Sequence, residues 1–184
     1  TGRVIQDANL AHTGQQLLEI GGNGGEMLNA EIERDTGSSK TYLASVWQRK
    51  HETNETGSFQ VSGAGAQVVS YEHIGTAGNW ELYEALITVT NTSANITIVF
   101  NVPNLGQSGD RLYLDDFRIG PLDSRMNSYV YNEWGEISHI LNSSNLYTEY
   151  QYTSDGRLQA IYQERLNHGR TKVSDFEIHY ANTN

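Results

Sequence analysis

The chain has 184 residues, a net charge of −10 and no cysteine, so disulfides, thiolate metal sites and cysteine nucleophiles are excluded. Its densest basic spot is Arg49-Lys50, which argues against nucleic acid and anionic membranes as partners and suits a hard cation, Ca²⁺ first among those outside a cell. No apolar run approaches the length of a membrane span. Charged residues make up only 18%, and Gly, Ser, Thr and Asn take their place, a composition suited to many turns and solvated strand faces. The opening Thr1-Gly2-Arg3 is neither a signal peptide nor an initiator Met, so the expectation is a piece of a longer exported chain.

In chain order, the strand-like segments are short and bounded by Gly, Asn and Ser. They are Gln16 to Ile20, Thr41 to Gln48, Phe59 to Val61, Gln67 to Tyr71, Trp80 to Val89, Asn95 to Val102 and Arg111 to Ile119. The run Gly21-Gly22-Asn23-Gly24-Gly25 lacks phosphate-loop spacing and reads as a turn. Trp80 to Leu86 has partial helical spacing, but it runs into β-branched Ile87-Thr88-Val89-Thr90, which favours strand. Short strands separated by turn signals predict an all-β sandwich or jelly roll.

The last of these segments carries a phase problem. Leu112 and Leu114 share one parity, Phe117 and Ile119 the other. Alternate residues of a strand point to opposite faces, so burying all four requires an extra residue, a β-bulge, at Asp115-Asp116. Two carboxylates then sit at the core edge, where they need a cation or several N–H donors.

After a connector over 121–128 the chain turns tyrosine-rich and repeats itself. YVYNEWGEISHI at 129–140 aligns with YQYTSDGRLQAI at 150–161, an offset of 21 residues. Tyr129 matches Tyr150, Tyr131 matches Tyr152, and Gly135 matches Gly156. Each unit reads as strand, glycine turn, strand, which is a hairpin.

The pattern Y-x-Y-x-x-x-G-x-[IL], closest to a full consensus in YQYTSDGRL with Arg157, resembles the YD repeat of the RHS family of large bacterial surface proteins; Asn132 and Thr153 replace the family Asp. The pieces AHTGQQLLEI, KTYLASVWQRK, the Trp80 strand and LYLDDFRI resemble, in order, the galactose-binding-like jelly roll of carbohydrate-binding modules. Together they imply a jelly roll over 1–121 and a YD-repeat hairpin tail over 122–184. The implied function is a non-catalytic extracellular module, binding a neutral glycan or serving as a structural, docking or export end piece of a secreted cell-surface protein. An opening strand ahead of AHTG is not evident.

Candidate sites follow. Asp115 and Asp116, with the turn His12-Thr13-Gly14, are the positions the resemblance implies for a structural Ca²⁺, and Asp7 is an outside candidate; the alternative is a bulge whose carboxylates cap N–H groups. Trp47, Tyr71, Trp80 and Tyr83 are the candidate sugar platforms, each with a competing role in the core. Trp134, in a hairpin turn, is expected to pack on the neighbouring repeat. Glu81 with Glu84, and Glu31 with Glu33, are rejected as glycosidase pairs because nothing fixes a separation. No HExxH or G-x-S-x-G motif is present, and the sequons at Asn54, Asn91, Asn95 and Asn142 imply only surface exposure.

Overall fold

A computed structural model describes residues 2–32, 39–90, 95–107 and 109–176. Among them regular structure is entirely strand: β1 (Gly2–Gln6), β2 (Gln16–Gly21), β3 (Gly25–Ile32), β4 (Lys40–His51), β5 (Ser58–Ser62), β6 (Ala66–Ala77), β7 (Trp80–Val89), β8 (Ile96–Val102), β9 (Arg111–Pro121), β10 (Ser128–Tyr131), β11 (Ile137–Leu141), β12 (Tyr147–Tyr152), β13 (Leu158–Arg165) and β14 (Gly169–Asp175). They form three antiparallel sheets: six strands in the order β1-β2-β9-β4-β7-β6, three in the order β3-β8-β5, and the meander β10 to β14. The segment from Trp80 is strand throughout, as its β-branched end requires. The sequence reading places no strand at β1 or β3. β1 is a short edge strand with Arg3, Val4 and Gln6 exposed, so it carries no alternation to detect.

The six-stranded and three-stranded sheets enclose one core, an arrangement consistent with a β-sandwich. Val46, Ala85, Ile87 and Leu112 from the larger sheet meet Phe59, Ile96, Ile98 and Phe100 from the smaller. The opposite face of the larger sheet is buried too. There Leu17, Trp47, Trp80, Leu82 and Tyr113 form a second cluster, closed by Leu146 and Leu166 from turns of the five-stranded sheet. Turns of the tail therefore cover the part of this face around Trp47, which explains why β4 is buried at nearly every position from Tyr42 to Gln48.

The bulge lies where the side-chain phase requires it. Along β4 and β9, Ser45 pairs with Arg118 but Trp47 pairs with Asp115, so Asp116 and Phe117 together face one residue. Asp116 has φ +46°, in the left-handed region that Asp tolerates better than most residues. The shift brings Phe117 and Ile119 onto the same core as Leu112 and Leu114.

Candidate functional site

The bulge, the loop between β1 and β2, and two tail turns meet in one buried polar junction. Asp7 shapes the loop, accepting from the backbone N–H groups of Asn9 and Leu10 at 2.9 and 3.3 Å. The loop then presents His12 and Thr13 to the bulge. Their N–H groups donate to Asp115 Oδ2 at 2.8 and 3.3 Å, and the Asp116 N–H donates to Asp115 Oδ1 at 2.8 Å. Thr13 Oγ1 donates to Asp116 at 2.8 Å.

His12 is the centre of this junction. Its Nδ1 lies 2.7 Å from Asp116 Oδ2, and its Nε2 lies 2.8 Å from Glu164 Oε1 on β13. Ionised carboxylates only accept, so two such partners require a proton on both ring nitrogens, an imidazolium. Burial opposes that charge, but the hydrogen bonds and charges of Asp116 and Glu164 outweigh it and raise the His12 pKa to about 9. Burial, then the neighbouring Asp116 charge, pushes the Asp115 carboxyl up, against the pull of its N–H donors. The His12 ring stacks on Trp47 with centroids 4.2 Å apart and meets the rings of Trp80 and Tyr147 edge-on.

The tail contributes through two turns. In the β11–β12 turn, Asn145 adopts φ +57° and is buried. Its carbonyl accepts the Trp47 indole N–H at 2.8 Å, and its Nδ2 donates to the Asp116 carbonyl at 2.8 Å and to Ser45 Oγ at 3.2 Å. Arg118 donates to the carbonyls of Asn142 and Met126. In the β13–β14 turn, the Asn167 N–H donates to the Thr76 carbonyl at 2.7 Å. Gly75 permits that approach, since a Cβ there would stand 3.2 Å from Leu166 Cβ.

The β11–β12 turn repeats a geometry found twice more. Asn132, Asn142 and Thr153 each open a turn in which their N–H donates to the carbonyl four residues on, while the residue three on donates back. The third positions are Gly135, Asn145 and Gly156, all with positive φ. The 21-residue sequence repeat thus hides an intermediate unit, 142–145, in which Asn replaces Gly. Asn is the residue that can both take the left-handed conformation and supply an amide to the sandwich. The signal was the spacing: Asn142 lies about midway between Asn132 and Thr153.

The other candidates separate into two groups. Trp47 and Trp80 lie together on the tail-facing side, at 0% and 6% exposure. Both pack the junction: Trp47 is enclosed, and Trp80 keeps an edge on the cleft it lines with Arg49 and Arg170. Tyr71 and Tyr83 lie together on the opposite face of the larger sheet, stacked with centroids 5.4 Å apart and half-buried. Tyr71 Oη contacts the Gly57 carbonyl and Gln48, Tyr83 Oη donates to Glu81, and Lys50 pairs with Glu81 at 2.9 Å. Trp134 is 71% exposed rather than packed on the next repeat. Tyr129 and Tyr131 are exposed on β10; Tyr150 and Tyr152 are half-buried on β12, with Tyr152 Oη donating to the Ile137 carbonyl at 2.9 Å. Alternation puts Tyr150 and Tyr152 on the face away from Tyr147 and the junction. Arg157 pairs with Asp155 at 3.0 Å. Glu33 and Asn91 lie outside the described residues, while Asn54, Asn95 and Asn142 are exposed.

Asp115 and Asp116 supply oxygens of the right kind for Ca²⁺, but each of the four carboxylate oxygens faces an N–H or O–H. Gly14 contributes by another route: at φ +67° it approaches Val130 so closely that a Cβ would lie 2.8 Å from that side chain. In this arrangement the acid pair caps a turn, its oxygens taken up by N–H and O–H donors. Comparison with family models, with curated proteins and with solved structures returns no match for the chain.

Proposed function

We propose that the chain is a non-catalytic structural module of a larger secreted surface protein. A jelly-roll-like sandwich seats, and so terminates or docks, a hairpin sheet of the YD-repeat type. The observation that carries this reading is the His12 clamp, in which a buried imidazolium from the sandwich is held by Glu164 of the tail and Asp116 of the bulge. The five-stranded tail buries only Leu141 and Ala160 as core side chains among its described residues, so it lacks the apolar face a free-standing sheet requires and needs such a seat. Fragment complementation tests it. Residues 122–184 alone should be disordered and should fold on addition of residues 1–121; a tail fragment that folds unaided would remove the need for a seat.

A second reading is supported by the Tyr71–Tyr83 surface. Two stacked rings flanked by His73, Lys50 and Glu81 offer a neutral glycan an aromatic face with polar groups beside it. Tyr83→Ala should abolish retention on neutral-glycan affinity gels if this surface binds sugar; absence of retention for the unaltered protein would leave the structural role alone.

A further inference from the structure

The geometry points to a binding cleft for a small, carboxylate-bearing sugar at the seam between sandwich and tail. The cleft, about 240 Å³, is lined from five separate stretches of chain, including Asn9, Arg49, Asn79, Trp80, Tyr147 and Arg170. That is room for a single ring-sized ligand.

Arg49 is the first reason. It projects from β4 on the tail-facing side and is only partly exposed, and its guanidinium takes no hydrogen bond, ion pair or ring contact among the described residues. A guanidinium held at a cleft wall without an acceptor is a fork matched to a carboxylate. Arg170 is the second. Glu149 holds its Nε and Nη2 at 2.6 and 3.1 Å, and the guanidinium lies 3.4 Å over the Tyr162 ring. It is thus fixed in place, with Nη1 left over. Trp80 is the third: it lines the cleft, and its indole N–H, which is not buried, takes no acceptor among the described residues and is left for a ligand.

The acid at the floor does not cancel this. Glu164 Oε1 is held by His12 at 2.8 Å. One fixed guanidinium that is already partnered, Arg170, and one free to reorient, Arg49, suit a single carboxylate better than a doubly charged phosphate. The amides of Asn9 and Asn79 are neutral groups suited to sugar hydroxyls. The chain's net charge of −10 opposes a polyanion at long range, but it acts weakly on one carboxylate beside two arginines. The cleft exists only where the tail is seated on the sandwich, so the inference rests on that seating; it uses a different face of the larger sheet from Tyr71 and Tyr83.

Chemical-shift titration of the intact chain tests it, with glucuronic acid, galacturonic acid and N-acetylneuraminic acid as probes, and glucose, galactose, acetate and inorganic phosphate as comparisons. At least one acidic sugar should shift the signals of Arg49, Asn79 and Arg170. Arg49→Gln should weaken that binding about tenfold or more, Arg49→Lys should recover only part of it, and Arg165→Gln, a change at an exposed residue outside the cleft, should leave it intact. Melting curves would establish that each variant is folded. The proposal is overturned if no acidic sugar moves these signals, if glucose, galactose, acetate or phosphate moves them at equal concentration, or if Arg49→Gln binds as the unaltered protein does.

Discussion

The His12 clamp makes stability depend on pH in a direction and window set by one residue. In the unfolded chain the imidazole has an ordinary pKa of 6.5, and in the folded protein about 9. Because the folded value is the higher, the clamp's contribution is fully present below pH 6.5 and is lost as pH rises through about 9. The gap between the two values corresponds to about 3 kcal/mol. Asp115, raised by burial, acts in the same sense but from the ordinary carboxylate range upward. His139, lowered by burial, acts in the opposite sense below neutrality. The slope above neutrality is therefore attributed to His12. Urea denaturation from pH 7 to 9.5 should show stability falling across that range, and His12→Gln should flatten the curve. At pH 7 the same variant should lose about 3–5 kcal/mol, the cost of leaving Asp116 and Glu164 buried without their shared cation. A stability flat across this range, or a His12→Gln loss below about 1 kcal/mol, would show that the imidazolium is not the clamp.

Three further outcomes follow. Asn145→Gly keeps the left-handed turn but removes the bonds to Ser45 and Asp116, and should cost about 1–3 kcal/mol by denaturant titration; Asn145→Ala should cost about 1 kcal/mol more for its strained backbone. Gly75→Val should destabilise by about 1–3 kcal/mol, because the added Cβ meets Leu166 across the seam. Ca²⁺ or a chelator should leave the melting temperature unchanged if Asp115 and Asp116 cap the turn; a rise with Ca²⁺ that Asp115→Asn abolishes would return the pair to metal binding.

Much of the sandwich was legible because its strands alternate or run apolar in short stretches. The opposed parities of Leu112-Leu114 and Phe117-Ile119 also mark the position of the bulge in the sequence. β1 escaped because an edge strand with exposed Arg3 and Val4 has no buried face to mark it. The junction was half legible. Asp115, Asp116 and the His12 turn were drawn together correctly, but cation and cap chemistry use the same carboxylates, and only the direction of the N–H groups separates them. Glu164 and Asn145 were out of reach, since their partners lie 152 and 100 residues away in sequence. The aromatics misled for a related reason: a tryptophan on the outer face of a sheet looks available until a second sheet covers it, and Leu146 and Leu166 close that cover from turns without any apolar periodicity.

A tail seated through the His12 junction should form one cooperative unit with the sandwich. Amide hydrogen exchange of the intact chain measures this most directly. The β11, β12 and β13 amides should exchange with the same opening free energy as those of β4 and β9, and Glu164→Gln should lower both sets together. Tail amides that open well below the sandwich, or a Glu164→Gln effect confined to the tail, would contradict it.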